Sequence, residues 1–149
     1  MPGLALLCTD GSDLSVEALA AGLAVLGPGV APVVVTVVEP SDPALVTGTG
    51  FAGGVMSADE LTAMDDERRA EATETLTRVV ADLGLDGADT RVLDGSPGQA
   101  ICDLADEVDA AVVVIGSRGR GGLKRAVLGS VSDHVVRHAP CPVVVTTPD

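Results

Sequence analysis

Aromatic side chains are nearly absent from this sequence: its 149 residues include one Phe and neither Trp nor Tyr. Proteins that read exposed nucleic-acid bases usually stack them on aromatic rings. Positive charge is also scarce, because 9 Lys and Arg residues stand against 22 Asp and Glu residues, which gives a formal net charge of −13. A chain this acidic is repelled by nucleic acid and by anionic membrane surfaces. Neither is expected as a partner.

The sequence also lacks the cysteine spacing of a redox or zinc motif. Cys8, Cys102 and Cys141 form no CxxC pair, and each lies in or beside an apolar run. No run approaches the ~20 apolar residues that a membrane span needs, and residues 1–4 lack the basic start of a signal peptide. An odd number of thiols used as small hydrophobic residues is typical of a reducing compartment. We therefore expect a cytoplasmic protein.

Short apolar runs alternate along the chain with segments in which apolar residues recur at helical spacing. The predicted strands 1 to 5 cover residues 4–8, 33–38, 88–93, 110–115 and 142–147. The predicted helices begin after Ser12, at Ser57, after Ser96 and at Ser130, and they end before Gly27, near Leu83, near Val108 and at His138. The pairs Ser57–Glu60 and Ser96–Gln99 both have the spacing of a capping box.

Strands 2, 4 and 5 are continuous rather than alternating apolar runs, so both of their faces should be covered. This pattern predicts an α/β fold with an open, parallel, five-stranded sheet and helices on both faces. No internal repeat or linker interrupts residues 1–149, which indicates a single domain. Ligands of such sheets bind beyond the carboxyl ends of the strands at the topological switch point. The loops after strands 1 and 4 are therefore the candidate site.

Residues 40–56 show no periodicity and are rich in glycine. A long irregular loop inside a compact domain is usually a functional lid or a mobile segment. We predict such a loop here.

The most informative segment follows strand 4, where Gly116 and Gly119 are followed by Gly129-Ser130 in the spacing Gly-x2-Gly-x9-Gly-Ser. Glycine permits positive φ and close approach of a ligand to the backbone. Free N–H groups at the start of the last helix attract phosphate, and the hydroxyls of Ser130 and Ser132 add donors. The segment contains neither the P-loop Gly-Lys-[Ser/Thr] nor GxGxxG.

Positive charge is concentrated in the same loop, which holds Arg118, Arg120, Lys124 and Arg125. An acidic protein that gathers its few cations in one loop is expected to bind a small anion there. The alternative is a flexible glycine-rich surface loop followed by an ordinary N-cap at Ser130.

The glycine spacing resembles the ATP-binding signature of the universal stress protein family. The resemblance covers the whole chain, and its other parts are Thr9-Asp10-Gly11-Ser12, Thr36-Val37-Val38-Glu39, Gly95-Ser96-Pro97 and Pro140-Cys141-Pro142-Val143-Val144-Val145. It implies the strand order 3-2-1-4-5 of the adenine nucleotide alpha hydrolase-like fold. It also implies a homodimer paired through strand 5, at Val143, Val144 and Val145. An exposed apolar edge gives an independent physical reason for that pairing.

The resemblance further implies a site for ATP, with Mg²⁺ carried by the triphosphate. The residues implied on the adenine and ribose side are Thr9, Asp10, Gly11 and Val37. Those implied around the ribose and phosphates are Gly116, Ser117, Arg118 and Gly119. Those implied over the triphosphate are Arg120, Gly121 and Gly122, and those at the helix start are Gly129, Ser130, Val131 and Ser132.

Two other candidates have weaker signals. Asp10 precedes a Gly-Ser turn, where an aspartate often caps local backbone instead of binding a ligand. His134 and His138 have the four-residue spacing of metal ligands, but no third ligand lies nearby in sequence. We therefore assign no metal site and no catalytic residue.

The function expected is that of a nucleotide-dependent regulatory or stress-response protein, read by an unidentified protein partner. Two alternatives stay open at this point: a slow ATPase or nucleotide-dependent transferase, and a structural dimer without nucleotide. The pattern also leaves open AMP, ADP or a cyclic nucleotide in place of ATP.

Overall fold

The computed structural model describes residues 2–47, 56–117 and 128–147. The strands are β1 Gly3–Cys8, β2 Val30–Val38, β3 Asp89–Asp94, β4 Val112–Gly116 and β5 Val143–Thr146. The helices are α1 Asp13–Val25, α2 Ala44–Thr47, α3 Ala58–Asp82, α4 Pro97–Glu107 and α5 Ser130–His138. Within the described ranges, no helix is long and apolar enough to span a membrane.

The strands form one parallel sheet in the order β3-β2-β1-β4-β5, which confirms the predicted order. The chain moves from β1 to β2 on one side and later fills β4 and β5 on the other. The topological switch point therefore lies between β1 and β4, where Cys8 pairs with Ile115.

Helices cover both faces of the sheet, as predicted from the continuous apolar strands. Leu7 of β1 packs in the cluster that holds Leu19 of α1 and Leu76 of α3. Its neighbour Leu6 belongs to the opposite cluster with Ile101 of α4 and Val135 of α5. Successive side chains of a strand point to opposite faces, so the central strand anchors both layers. Burial of each such side chain contributes about 1.5–3 kcal/mol to the free energy of unfolding.

The helix starts follow local hydrogen bonding, with one correction. Ser57 and Glu60 form both bonds of the predicted capping box. Ser96 is the N-cap of α4, but the predicted capping box there is wrong, because Ser96 makes no side-chain cap bond. The Gln99 amide donates instead to Asp103 Oδ1 at 2.7 Å, so it does not turn back to the cap.

The prediction that residues 40–56 are irregular is wrong for Ala44–Thr47, which form α2. The Ala44 N–H donates to Asp42 Oδ1 at 2.9 Å and the Leu45 N–H donates to the Asp42 carbonyl at 3.1 Å, so Asp42 starts a short helical turn. Residues 48–55, with their glycines, lie outside the described residues.

Candidate functional site

The β1–α1 and β4–α5 loops leave the sheet at the same edge, because β1 and β4 are adjacent parallel strands. Thr9 follows the last residue of β1, and Ser117 follows the last residue of β4. The topology therefore brings together the two loops that the sequence selects. Val37, the candidate on β2, is half-buried against the α4–α5 layer.

The β1–α1 loop is held by its own polar groups. The Thr9 N–H extends the sheet by donating to the Val35 carbonyl at 2.9 Å. The Thr9 hydroxyl lies 2.6 Å from the Ser15 hydroxyl and accepts from the Gly11 N–H at 2.9 Å. Gly11 has a φ of +83°, a backbone conformation that favours glycine.

Asp10 closes the same turn with its carboxylate. Asp10 Oδ1 accepts from the Ser12 N–H at 2.9 Å and from the Ser12 hydroxyl at 2.6 Å. The local backbone role considered for Asp10 is therefore present.

Arg78 of α3 also contacts this loop, and sequence analysis missed it. Its Nη2 donates to the Gly11 carbonyl at 2.8 Å. Its Nη1 lies 3.6 Å from the Asp82 carboxylate, one helical turn further on. Helical periodicity places Arg78 on an outward face, and no local pattern indicates a bond to a residue so distant in sequence.

The β4–α5 side returns tightly to the sheet edge. The Ser117 N–H donates to the Thr146 carbonyl at 2.8 Å, and the Ser117 carbonyl accepts from the Gly129 N–H at 2.8 Å. A Cβ atom at Gly129 would lie 3.3 Å from the Ser117 carbonyl oxygen and 3.7 Å from Ser132 Oγ. Little space is left for a side chain at Gly129, which is the N-cap of α5.

Two buried hydroxyls on this side are in contrasting states. Ser132, 2% exposed, donates to the Gly129 carbonyl at 3.0 Å, and its Oγ lies 3.3 Å from the Ser117 carbonyl. Ser117 is 6% exposed, yet its hydroxyl has no hydrogen-bond partner among the described residues. A buried hydroxyl without a partner costs about 1–3 kcal/mol. The Ser117 hydroxyl is therefore a candidate hydrogen-bond donor for a ligand.

The start of α5 is the third element of this side. No side chain in the described ranges caps it: Gly129 has none, and Ser130 is exposed. Val131 is half-buried. The candidates Arg118, Gly119, Arg120, Gly121 and Gly122 lie outside the described residues.

The three cysteines, of which Cys8 ends β1 beside the site, are protected from ionisation. Burial, with smaller contributions from Cys102 and Cys141, raises the pKa of the Cys8 thiol to about 12. Burial also raises the pKa of Cys102 and of Cys141. Thiols that stay protonated at neutral pH are poor nucleophiles, so all three act as small apolar groups.

Each of the two histidines of α5 has one ring nitrogen that is bonded or buried. His138 Nδ1 lies 2.9 Å from the His134 carbonyl. His134 Nε2 is buried beside Gly98 of α4, without a partner in the part of the chain that the structure describes. The described residues contain no group of three or more His, Cys, Asp or Glu side chains that could hold a metal ion.

The sequence model of the universal stress protein family matches residues 4–147. The chain belongs to the universal stress protein family. Universal stress protein Sll1388 of Synechocystis is 40% identical over 84 residues, and the match covers 54% of this chain and 53% of that protein. The chain thus matches about half the length of Sll1388. Universal stress protein YxiE of Bacillus subtilis is 31% identical over 144 residues, which cover 94% of this chain and 95% of YxiE.

Solved structures of universal stress proteins share the fold. UspA from Lactobacillus plantarum is 24% identical with a TM-score of 0.74, and 97% of each chain is covered. A universal stress protein in complex with cAMP is 22% identical with a TM-score of 0.65, covering 97% of this chain and 95% of that chain. The universal stress protein from Archaeoglobus fulgidus in complex with dAMP is 27% identical with a TM-score of 0.54, covering 98% and 97%.

Proposed function

We propose that this universal stress protein binds ATP between the β1–α1 and β4–α5 loops and acts as a nucleotide-dependent regulatory protein. The observation that carries the proposal is the buried Ser117 hydroxyl, which lacks a partner among the described residues beside the start of α5. The dAMP complex of the Archaeoglobus fulgidus relative supports an adenine nucleotide as the ligand class.

The β4–α5 side is suited to the phosphates. The nine-residue helix α5 directs its first N–H groups and the positive end of its dipole toward the sheet edge. Ser117 supplies a hydroxyl donor, and Ser132 fixes the turn. We assign the ribose and phosphate contacts to Gly116, Ser117, Arg118 and Gly119, the cover over the triphosphate and its Mg²⁺ to Arg120, Gly121 and Gly122, and the helix-start contacts to Gly129, Ser130, Val131 and Ser132.

The β1–α1 side is suited to the nucleoside. A carboxylate such as that of Asp10 accepts hydrogen bonds from ribose hydroxyls. Thr9 and Gly11 hold the turn that carries Asp10, and Val37 supplies an apolar contact at the end of β2. We assign these four residues to the adenine and ribose.

The chemistry of these groups favours holding the nucleotide over transforming it. The described candidates offer backbone amides, hydroxyls and one carboxylate, and Asp10 is already bonded to Ser12. A general base must reach the proton that it removes. We therefore propose that nucleotide occupancy is read by a protein partner.

The proposal is tested by releasing and identifying the bound molecule. Purified protein is denatured, the released small molecules are identified by mass spectrometry, and ATP, ADP and AMP are titrated by calorimetry. We expect an adenine nucleotide in the extract and the tightest binding for ATP. Absence of any adenine nucleotide, together with no heat on titration with ATP, would show that the proposed function is wrong.

We also propose a homodimer paired through β5, in a single cytoplasmic domain over residues 1–149. Val143, Val144 and Val145 are half-buried on the edge strand, where unpaired backbone groups favour strand addition. Sedimentation at micromolar concentration should give twice the monomer mass, and a monomer with full nucleotide occupancy would contradict this pairing.

The free thiols support the proposed location in a reducing compartment, which cell fractionation can test.

A further inference from the structure

We propose that Arg78 is a positioning residue for the nucleoside half of the site, acting through the Gly11 carbonyl. This inference rests on the proposed function and adds a residue of α3 to it. The supporting contact is the 2.8 Å bond from Arg78 Nη2 to Gly11 O, which joins residues 67 positions apart.

The Gly11 carbonyl lies in a turn that is also held by local hydrogen bonds. The Gly11 N–H donates to the Thr9 hydroxyl, and Asp10 Oδ1 accepts two bonds from Ser12. These bonds fix the turn from the side of the sheet and of α1. Arg78 holds it from the side of α3, so the orientation of Asp10 depends on a contact outside its own loop.

Arg78 is itself held in place. It lies between Leu76 and Val79, the fully buried residues of α3, which pack against the sheet. The backbone that carries Arg78 is therefore fixed where α3 is most firmly anchored. Asp82 lies behind the guanidinium at 3.6 Å on the same helix face. The ion pair between Arg78 and Asp82 orients the Arg78 guanidinium toward the Gly11 carbonyl.

The contact is suited to positioning rather than to stabilising the fold. The Arg78 side chain is 47% exposed, and exposed charged contacts contribute little to the free energy of unfolding. Losing the bond should therefore loosen the turn while the fold stays intact. The proposed function places Asp10 at the nucleoside, which ATP and AMP share. A loosened turn should therefore lower the affinity for both nucleotides by the same factor.

The test compares Arg78→Gln and Arg78→Lys with Arg91→Gln, a control that removes an exposed charge from the edge strand β3. ATP and AMP affinities are measured by calorimetry. Amide hydrogen exchange is followed in the nucleotide-free proteins over residues 9–15 and 130–138. Thermal unfolding reports the fold.

We expect Arg78→Gln to weaken ATP and AMP binding equally, by about three- to tenfold, as for the loss of one hydrogen bond. Exchange should rise in residues 9–15 and stay unchanged in 130–138. Arg78→Lys should recover part of the affinity, since it keeps a charged donor, and Arg91→Gln should match wild type.

Three results would overturn the inference and leave the proposed function intact. They are wild-type nucleotide affinity in Arg78→Gln, an equal loss of affinity in Arg91→Gln, and a loss of affinity for ATP but not for AMP. If the wild-type protein binds no adenine nucleotide, the proposed function is wrong and the inference is overturned with it.

Discussion

The two loops at the switch point differ in how their polar groups are satisfied. In the β1–α1 loop, the Gly11 N–H donates to the Thr9 hydroxyl, the Ser12 N–H donates to Asp10, and Arg78 donates to the Gly11 carbonyl. On the β4–α5 side, the Ser117 hydroxyl has no partner among the described residues, and no described side chain caps α5. The first loop is organised before a ligand arrives, whereas the second has donors to offer. Under the proposed function, the first loop is the fixed nucleoside side of the site and the second is the phosphate side.

The largest expected effect comes from disturbing α1, the helix that follows the first loop. Gly22 of α1 packs on β4, where an added Cβ would lie 2.3 Å from Val114 Cγ1. Gly22→Ala should therefore displace α1 and lower the free energy of unfolding by up to about 3 kcal/mol. Chemical denaturation measures this loss. Gly27→Ala is the matched control, because nothing lies within 4 Å of its added Cβ; equal stability of the two variants would contradict the close packing.

A substitution at the second loop should act on affinity instead. In Gly129→Val, the new Cβ atom would lie 3.3 Å from the Ser117 carbonyl oxygen, and the branched side chain would crowd that oxygen. We expect ATP affinity to fall about 30-fold, roughly 2 kcal/mol, with the fold retained. Calorimetry and circular dichroism measure the two quantities. Gly29→Val, in open space, should bind as wild type; unchanged affinity in Gly129→Val would place the phosphates elsewhere.

The Cys8 thiol below the first loop gives a pH dependence of stability. Its pKa in the folded protein is about 12, above the ordinary value of 9.0. Between these values the unfolded chain loses the proton while the folded chain keeps it, so stability is full below pH 9 and falls as pH rises. The contribution is up to about 1.4 kcal/mol per pH unit. Denaturation of wild type and Cys8→Ala from pH 8 to 10.5 should show a shallower decline in the variant, and identical slopes would contradict the assigned burial.

The smallest effect is the sharpest test of the contrast between the loops. Thr9→Val removes a hydroxyl that has partners and should cost about 1 kcal/mol of stability. Ser117→Ala removes a hydroxyl without a described partner, so stability should be unchanged or slightly higher while ATP affinity falls about fivefold. Thermal unfolding and calorimetry of both variants measure this. A stability loss in Ser117→Ala equal to that in Thr9→Val would show that the two loops do not differ.

Features encoded by nearby residues were predictable from the sequence. The strand order is confirmed, the capping box at Ser57 is present, and α5 has its predicted bounds. Apolar periodicity and caps are local signals, and the family resemblance supplied the order. Strand ends were less accurate: β2 begins at Val30, earlier than predicted, because it pairs with β1 from Gly3 onward.

Features that depend on distant contacts were not predictable. The Arg78–Gly11 bond requires α3, which packs on β2 and β3, to reach the loop after β1. The lack of a partner for the Ser117 hydroxyl among the described residues depends on how α5 returns to the sheet. A local pattern also fails where local partners compete: Ser96 and Gln99 have the spacing of a capping box, but Gln99 donates to Asp103, four residues further on. Spacing states which bonds are possible, and competition among partners decides which of them form.

The central claim is that both loops contact one nucleotide, and an ATP titration followed by amide NMR tests it most directly. We expect saturable shifts at Gly11 and Ser12 and at Ser130 to Ser132, all with one dissociation constant. AMP should shift the first group fully and the second weakly. Shifts confined to residues outside both loops, or none at millimolar ATP, would contradict the account.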